Sequence, residues 1–492
     1  MTKSLRAGIP PLPADSAGRS GQAQKTMSLK YRRLIFIAAL LIFFATAPIV
    51  ILWAEGYRYD WQRHRLFKTG VLFLESKPTR AEITLNGKLQ EEKTSARLKN
   101  LLPDQYEVSV AKEGFQTWHK KLPVYSMQTT FAQYIRLFKE NPEAREILNK
   151  KILLTSELVN ESVTIVYLQG DLTPLENEDV KYTLALLNLN NGDLNEITPL
   201  NFLPEKINLS PDKLYIFLEY DLEYPKHQWF VDVRKSELIS VQDNIETEIS
   251  RIAWEKDGRD EIVYLFSENG LERFNLNNLK TELILTTPVI DFVIYSNTLM
   301  DTIFYLTANE ENVILSMANL NHLEDTKILA SLPLSKNYRF LNSPNGLLTL
   351  LDNKNELLYL IKKNPKDKDS TIDAALTDTN MRVFTGVNQA KWLEGVLLLG
   401  NDFEISVYDL EKNEKDIIVR LSTGIKKMDW YPVPTHVIYL SADEIKVAEL
   451  ANHARNFNGL LTDAEISDFF ITNKTNKIYL VNGDGMSELE IQ

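Results

Sequence analysis

The sequence predicts an all-β body carried on one apolar helix. Three observations point there. A twenty-residue run near the start has no charge, the next seventy or so residues alternate between apolar strands and turn signals, and a β-rich fragment then recurs eight times.

The uncharged run is residues 34–53, LIFIAALLIFFATAPIVILW, and thirteen of its residues are Leu, Ile, Phe or Val. As a helix it is about 30 Å long, the thickness of a bilayer's hydrocarbon core. It therefore reads as a single membrane-spanning segment. A cleaved secretory signal is the competing reading, with Lys30, Arg32 and Arg33 as its basic region and Ala45-Thr46-Ala47 as its cleavage site. Pro48 directly after that site, and apolar sequence continuing to Trp53, favour an uncleaved signal anchor. Residues 1–33 read as a disordered, basic, cytoplasmic head, with Met27 an alternative start. Lys30, Arg32 and Arg33 abut the run, whereas Glu55 is the nearest charge beyond it. That places the head inside and the body outside. Residues 54–68 form a juxtamembrane segment whose Tyr57, Tyr59 and Trp61 suit an interfacial aromatic belt.

The formal net charge of −12 is unevenly shared. Residues 1–70 carry eleven Lys and Arg against three Asp and Glu, so the body is strongly acidic. An acidic body disfavours nucleic acid, whose phosphates need a basic face. The absence of cysteine removes disulfides, thiolate metal sites and Cys nucleophiles together.

Residues 69–138 read as a small β domain. Val71 and Phe73, then Ala81, Ile83 and Leu85, alternate as half-buried strands do, and Asn86-Gly87 is a type I′ hairpin signal. A turn at Leu102-Pro103-Asp104 precedes alternating Tyr106, Val108 and Val110. A further turn at Lys112-Glu113-Gly114 leads to Phe115 and Trp118, and the last strand is expected to alternate Phe131, Tyr134 or Ile135, and Leu137. The order strand, Pro78-Thr79-Arg80-Ala81, Asn86-Gly87, Leu102-Pro103, Gly114-Phe115 resembles a PEGA domain, although the name-giving tetrapeptide is altered. That resemblance implies a short β-sandwich-like module of a prokaryotic envelope protein and supports the body-outside topology. Residues 139–150 read as a linker.

Over residues 151–492 eight apolar cores recur, beginning at Ile165, Tyr215, Val263, Ile303, Leu347, Val396, Val437 and Ile478. Successive starts lie 40 to 50 residues apart, the spacing of β-propeller blades. Trp254, Trp392 and Trp430 occupy matching places ahead of three cores. The units resemble loose TolB- or WD-type blades without the Gly-His and Trp-Asp dipeptides. The expectation is an eight-bladed propeller, or seven blades if residues 165–168 belong to a bridging hairpin. The last unit lacks a fourth strand, which residues 151–155 or their neighbours are expected to supply. Residues 362–382 read as a long loop over one face.

The chain lacks a nucleophile elbow, a Walker A loop, a zincin motif and a dinucleotide fingerprint. The six histidines, His64, His119, His227, His322, His436 and His453, have no metal-ligand spacing. Asp257, Asp260 and Glu261, and likewise Asn482-Gly483-Asp484-Gly485, read better as hairpin turns than as calcium loops. Glu176, Glu178 and Asp179 read as a solvated acidic loop. No catalytic, metal or cofactor residue is expected. The functional expectation is a membrane-anchored extracytoplasmic binding or scaffold protein, its partner an envelope protein or cell-wall glycan. The alternative is an ectoenzyme hydrolysing glycan or peptide in the propeller funnel, which carboxylates or a His converging at one mouth would favour.

Overall fold

The computed structural model describes residues 29–61, 63–168, 182–220, 227–245, 247–255, 261–296, 301–376, 380–431, 435–442, 444–450, 457–461, 466–472 and 476–492. The chain divides into two compact units. One comprises Met1–Val71, Lys99–Asp104 and Val124–Thr130; the other comprises Leu72–Leu98, Gln105–Pro123 and Phe131–Gln492.

The first unit is built on helix α1, Leu29–Ala54, whose 26 residues are all unburied and whose length and composition suffice to cross a membrane. It begins five residues ahead of the expected start, so Lys30, Arg32 and Arg33 lie in its first turns. The expected head otherwise lies outside the described residues. Strands β1 (Tyr57–Asp60) and β2 (Arg65–Lys68) follow as a hairpin.

The small module has two sheets. Strands β3 (Gly70–Lys77), β4 (Glu82–Leu85), β5 (Lys88–Lys93), β6 (Ala96–Leu101), β7 (Asp104–Ala111), β8 (Trp118–Val124) and β9 (Thr129–Arg136) pair in the orders β5-β4-β7-β8 and β6-β3-β9. Asn86 (φ 48°) and Gly87 (φ 77°) make the expected type I′ turn between β4 and β5. Ile83, Leu85, Val108 and Val110 are buried as expected. The parity of β3 is reversed, however: Leu72 and Leu74 point into the core, while Phe73 and Phe131 stack edge to face at 5.9 Å, with Phe131 exposed. Both parities of Val71-Leu72-Phe73-Leu74 are apolar, so alternation alone does not choose the face. In β9, Ile135 is buried and Tyr134 is exposed.

Among the described residues, the stretch from Ala144 to Glu490 forms eight four-stranded antiparallel sheets. Seven follow one another in chain order, over residues 152–200, 206–240, 249–285, 291–333, 338–385, 389–420 and 425–461. The eighth takes three strands from residues 466–490 and its outermost from β10 (Ala144–Leu148). Each of the eight cores legible in the sequence is the second strand of a sheet. Such a strand is hydrogen-bonded on both edges and packed on both faces, and three of them, Ile262–Ser267, Leu347–Asp352 and His436–Ser441, are buried along their whole length.

Among the described residues, eight hydrophobic cores lie between successive sheets. Val166, Leu184, Ile216 and Leu218 fill the gap between blades 1 and 2, and equivalent clusters follow through blades 7 and 8. The last cluster joins Phe470, Tyr479, Val481 and Met486 of blade 8 to Ile152, Val163, Ile165 and Tyr167 of blade 1, which closes the ring. Blade 1 is therefore a full blade, and the seven-blade alternative is excluded.

The seam differs from its expected form in one respect. Residues 151–155 hold the inner strand of blade 1 (Ile152–Thr155), and the closing strand is β10, inside the stretch expected to be a linker. β10 pairs with Gly485–Glu490, Ala144 opposite Leu489 and Leu148 opposite Met486. Residues 362–382 are also more than a loop. They contain helix α2 (Ser370–Ala375), capped by Asp369, whose Ile372 and Ala375 enter the core between blades 5 and 6.

Gly485 sits at the seam with φ +157°, and a Cβ there would lie 1.9 Å from the Leu148 carbonyl oxygen. Gly485→Ala should therefore lower the unfolding free energy by about 1–3 kcal/mol. Gly483→Ala, two residues away with no atom within 4 Å of the new Cβ, should leave it nearly unchanged. Denaturant melts of the two variants beside the unmodified chain check this.

Candidate functional site

The first strand of each blade is the innermost of its sheet and lines the propeller axis. Three aspartates on these strands share one arrangement. Asp291, Asp429 and Asp468 each accept the backbone N–H of the aromatic residue that follows, Phe292, Trp430 and Phe469, at 2.7–2.8 Å. Each also meets a cation from the inner strand of the preceding blade. Arg251 pairs with Asp291, Lys391 with Asp429 at 2.6 Å, and Lys427 with Asp468 at 2.6 Å. The second Asp291 oxygen accepts the Phe340 N–H from blade 5 at 2.7 Å, so one carboxylate ties three blades. Burial pushes the Asp291 carboxyl up, against the opposing pull of Arg251 and the two amides. These carboxylates are spread around the axis and individually satisfied, which suits stapling of neighbouring blades better than acid–base chemistry.

A second cluster joins the small module to blades 7 and 8. Trp118 Nε1 and Lys120 Nζ of β8 donate to the two carboxylate oxygens of Glu449, each at 3.0 Å, and all three side chains are buried. Gln116 Nε2 donates to the Gly459 carbonyl at 2.8 Å, and Lys139 N to the Ile491 carbonyl at 2.9 Å. Phe138 is fully buried within the core of blades 7 and 8, in T-shaped contact with Tyr431 and His436. The stretch expected to be a linker is thus hydrogen-bonded at Lys139, Glu140 and β10.

The perturbed groups follow from this burial. His436 is pushed down to about 4 by desolvation. Glu449 opposes that shift, while Arg136 and Lys120 add to it. Burial lifts the Tyr431 hydroxyl to about 12, and Lys363 is pushed down to about 8 by burial alone. The Lys363 amine lies 3.2 Å from the centre of the Tyr295 ring, and Tyr295 shares a hydrogen bond with Ser343.

Other residues singled out in the sequence do not assemble. His119 and His227 are exposed on separate strands, His322 pairs with Glu324 at the surface, and His64 lies in the hairpin turn after α1. Among the described residues, no group of three His, Asp or Glu could hold a metal ion. Asn482–Gly485 is a tight turn in which Asn482 accepts the Asp484 N–H. His453, Asp257, Asp260, Glu176, Glu178 and Asp179 lie outside the described residues. Trp392 and Trp430 reach the preceding blade, donating to Thr349 Oγ1 and the Lys391 carbonyl. Among the described residues, Trp254 Nε1 and Glu255 Oε2 are buried without a hydrogen-bond partner, although the Arg273 guanidinium lies 3.8 Å from Glu255 Oε2, beside a cavity of about 50 Å³ with room for a water or two. A second cavity, of about 220 Å³, is bordered by Ser331, Lys362 and Asn380, and Lys362 is paired there with Asp373.

Because the folded protein keeps His436 neutral down to about pH 4 while an unfolded chain protonates it near 6.5, its contribution is complete above pH 6.5. It is lost progressively as the pH falls towards 4, by on the order of 3 kcal/mol. His436→Phe keeps an aromatic ring against Phe138 and Tyr431 and should flatten that part of the acid destabilisation. Melting temperatures of the two proteins across this pH range check it, since all other titrating groups are common to both.

Comparison with known proteins follows the same division of the chain. No relative among the curated proteins matches it. The β-propeller domain of the Trilobed protease from Pyrococcus furiosus is similar at 15% identity, covering 64% of this chain and 98% of that one, with a TM-score of 0.36. A eukaryotic initiation factor is similar at 10% identity, covering 63% of this chain and 88% of that one, with a TM-score of 0.39. Both likenesses are distant, and the propeller assignment rests on the strand order and the eight inter-blade cores. Residues 69–140 match the family model of the PEGA domain.

Proposed function

We propose that this chain is a membrane-anchored, extracytoplasmic binding or scaffold protein of a bacterial cell envelope. In this reading α1 is its single anchor, its N-terminal head is cytoplasmic, and one end of its propeller receives a protein or glycan partner. The observation that carries this reading is the asymmetry of the ring's two ends. The module contacts Tyr431, His436, Glu449 and Ile491, at the end of the ring where first strands turn into second strands. The opposite end holds the turns from second to third strands and the connections between blades. Leu203, Leu334 and Phe403 are exposed there, with Phe403 at 56%. Among the described residues, the other exposed large apolar side chains of the ring are Leu283, Ile328 and Val383 on outermost strands and Leu279, on a third-to-fourth-strand turn at the module's end. Apolar side chains on the end opposite the module give a partner a surface to desolvate.

The ectoenzyme reading has one observation in its favour, the Lys363 amine whose lowered pKa lies near the range of catalytic lysines. Neither cavity described above borders it. A photo-cross-linking residue at Phe403 and another at Glu411, at the opposite end of the same blade, discriminate in intact envelopes. Discrete adducts from position 403 and none from 411 are expected; equal labelling from both ends would remove the basis for the assigned face.

A further inference from the structure

The hairpin after α1 has no part in the reading above. In it Tyr57 lies opposite Lys68 and Tyr59 opposite Leu66. Strand alternation puts these four on one side and Arg58, Asp60, Arg65 and Phe67 on the other. The second side is engaged: Asp60 is buried, and Arg58 donates to the Trp53 carbonyl at 3.0 Å and to Asn100 Oδ1 at 3.2 Å. The first side is open. Tyr59 and Leu66 are 42% and 52% exposed, and Trp61 beside them, edge-on to Tyr59 at 4.9 Å, is 79% exposed.

The tether decides what covers this face. β1 begins three residues past Ala54, and three extended residues span about 10 Å. The headgroup layer on each side of a bilayer is itself about 5–8 Å thick. The connection is also fixed, since Gly56 N donates to the Trp53 carbonyl at 3.2 Å and Thr69 N to the Gly56 carbonyl at 2.9 Å. When α1 spans a bilayer, the open face therefore lies among headgroups, where amphipathic aromatic rings are most favourably placed.

We propose that this hairpin is an interfacial foot: Tyr59, Trp61 and Leu66 seat in the headgroup layer, and Lys68 holds the phosphate of an anionic lipid. The inference rests on α1 being a membrane anchor and adds a lipid-binding surface to it. Lys68 lies on the open side with its ammonium 5.1 Å from the Tyr57 ring. It adds charge attraction to the apolar contact.

Because the chain has no cysteine, one introduced thiol reports one position. Full-length Trp61→Cys, Phe43→Cys and Asn190→Cys, each carrying an environment-sensitive fluorophore, are reconstituted in phosphatidylcholine vesicles with and without phosphatidylglycerol. The expected result is blue-shifted emission, quenched by spin-labelled lipid, at positions 43 and 61, and water-like emission at 190. Phosphatidylglycerol should increase the shift at 61, and the added substitution Lys68→Ser should abolish that increase. A water-like probe at 61 with a buried probe at 43 overturns the foot while leaving the anchor intact. Water-like probes at both positions overturn the anchor reading and the foot with it. An identical shift at 61 in both lipid mixtures overturns the anionic preference.

Discussion

Everything in the body depends on one strand pairing, that of β10 with Gly485–Glu490. A propeller blade cannot bury its faces alone; each face needs a neighbour, and the first and last blades find one only if the ring closes. Here the closing strand comes from the N-terminal side, placing Leu148 in the same core as Met486 and Ile165. Each inter-blade core holds between nine and thirteen buried apolar residues. At roughly 1.5–3 kcal/mol for each large side chain, losing one such core exceeds the net stability of a typical domain. The ring is therefore expected to open as a whole.

The same closure fixes the module. The chain leaves β9, buries Phe138 between blades 7 and 8, and enters β10 within a few residues. With Trp118 and Lys120 both bonded to Glu449, the module has a single seat. A buried ion pair of this kind contributes little net stability, because desolvation offsets much of the attraction. Removing one partner is costly, however, so the pair selects one docking geometry. The inner-strand pairs act similarly at the axis, each linking a cation of one blade to an aspartate of the next.

The blades were legible because their second strands are buried on both faces and so read as uninterrupted apolar runs. Their count and spacing needed nothing beyond period. β10 was not legible: Ala144-Arg145-Glu146-Ile147-Leu148 is an outermost strand, largely exposed, and its polarity resembles that of a linker. The parity of β3 was lost for the opposite reason, since both of its faces are apolar. The inner-strand ion pairs did leave a signal. Arg251 and Asp291, Lys391 and Asp429, and Lys427 and Asp468 are 40, 38 and 41 residues apart, close to one blade period, and each aspartate precedes an aromatic residue. The seat around Glu449 left none, because Trp118 and Glu449 are 331 residues apart and belong to different repeats of local structure.

Amide hydrogen exchange of the intact chain tests the closed ring most directly. If β10 is the fourth strand of blade 8, those of its amides that bond to Gly485–Glu490 should be as protected as the amides of Lys477–Asn482 and should lose protection in the same unfolding event. Exchange of every amide of residues 144–148 at the rate of a solvated linker, while Lys477–Asn482 stays protected, would show that the ring is not closed by this strand.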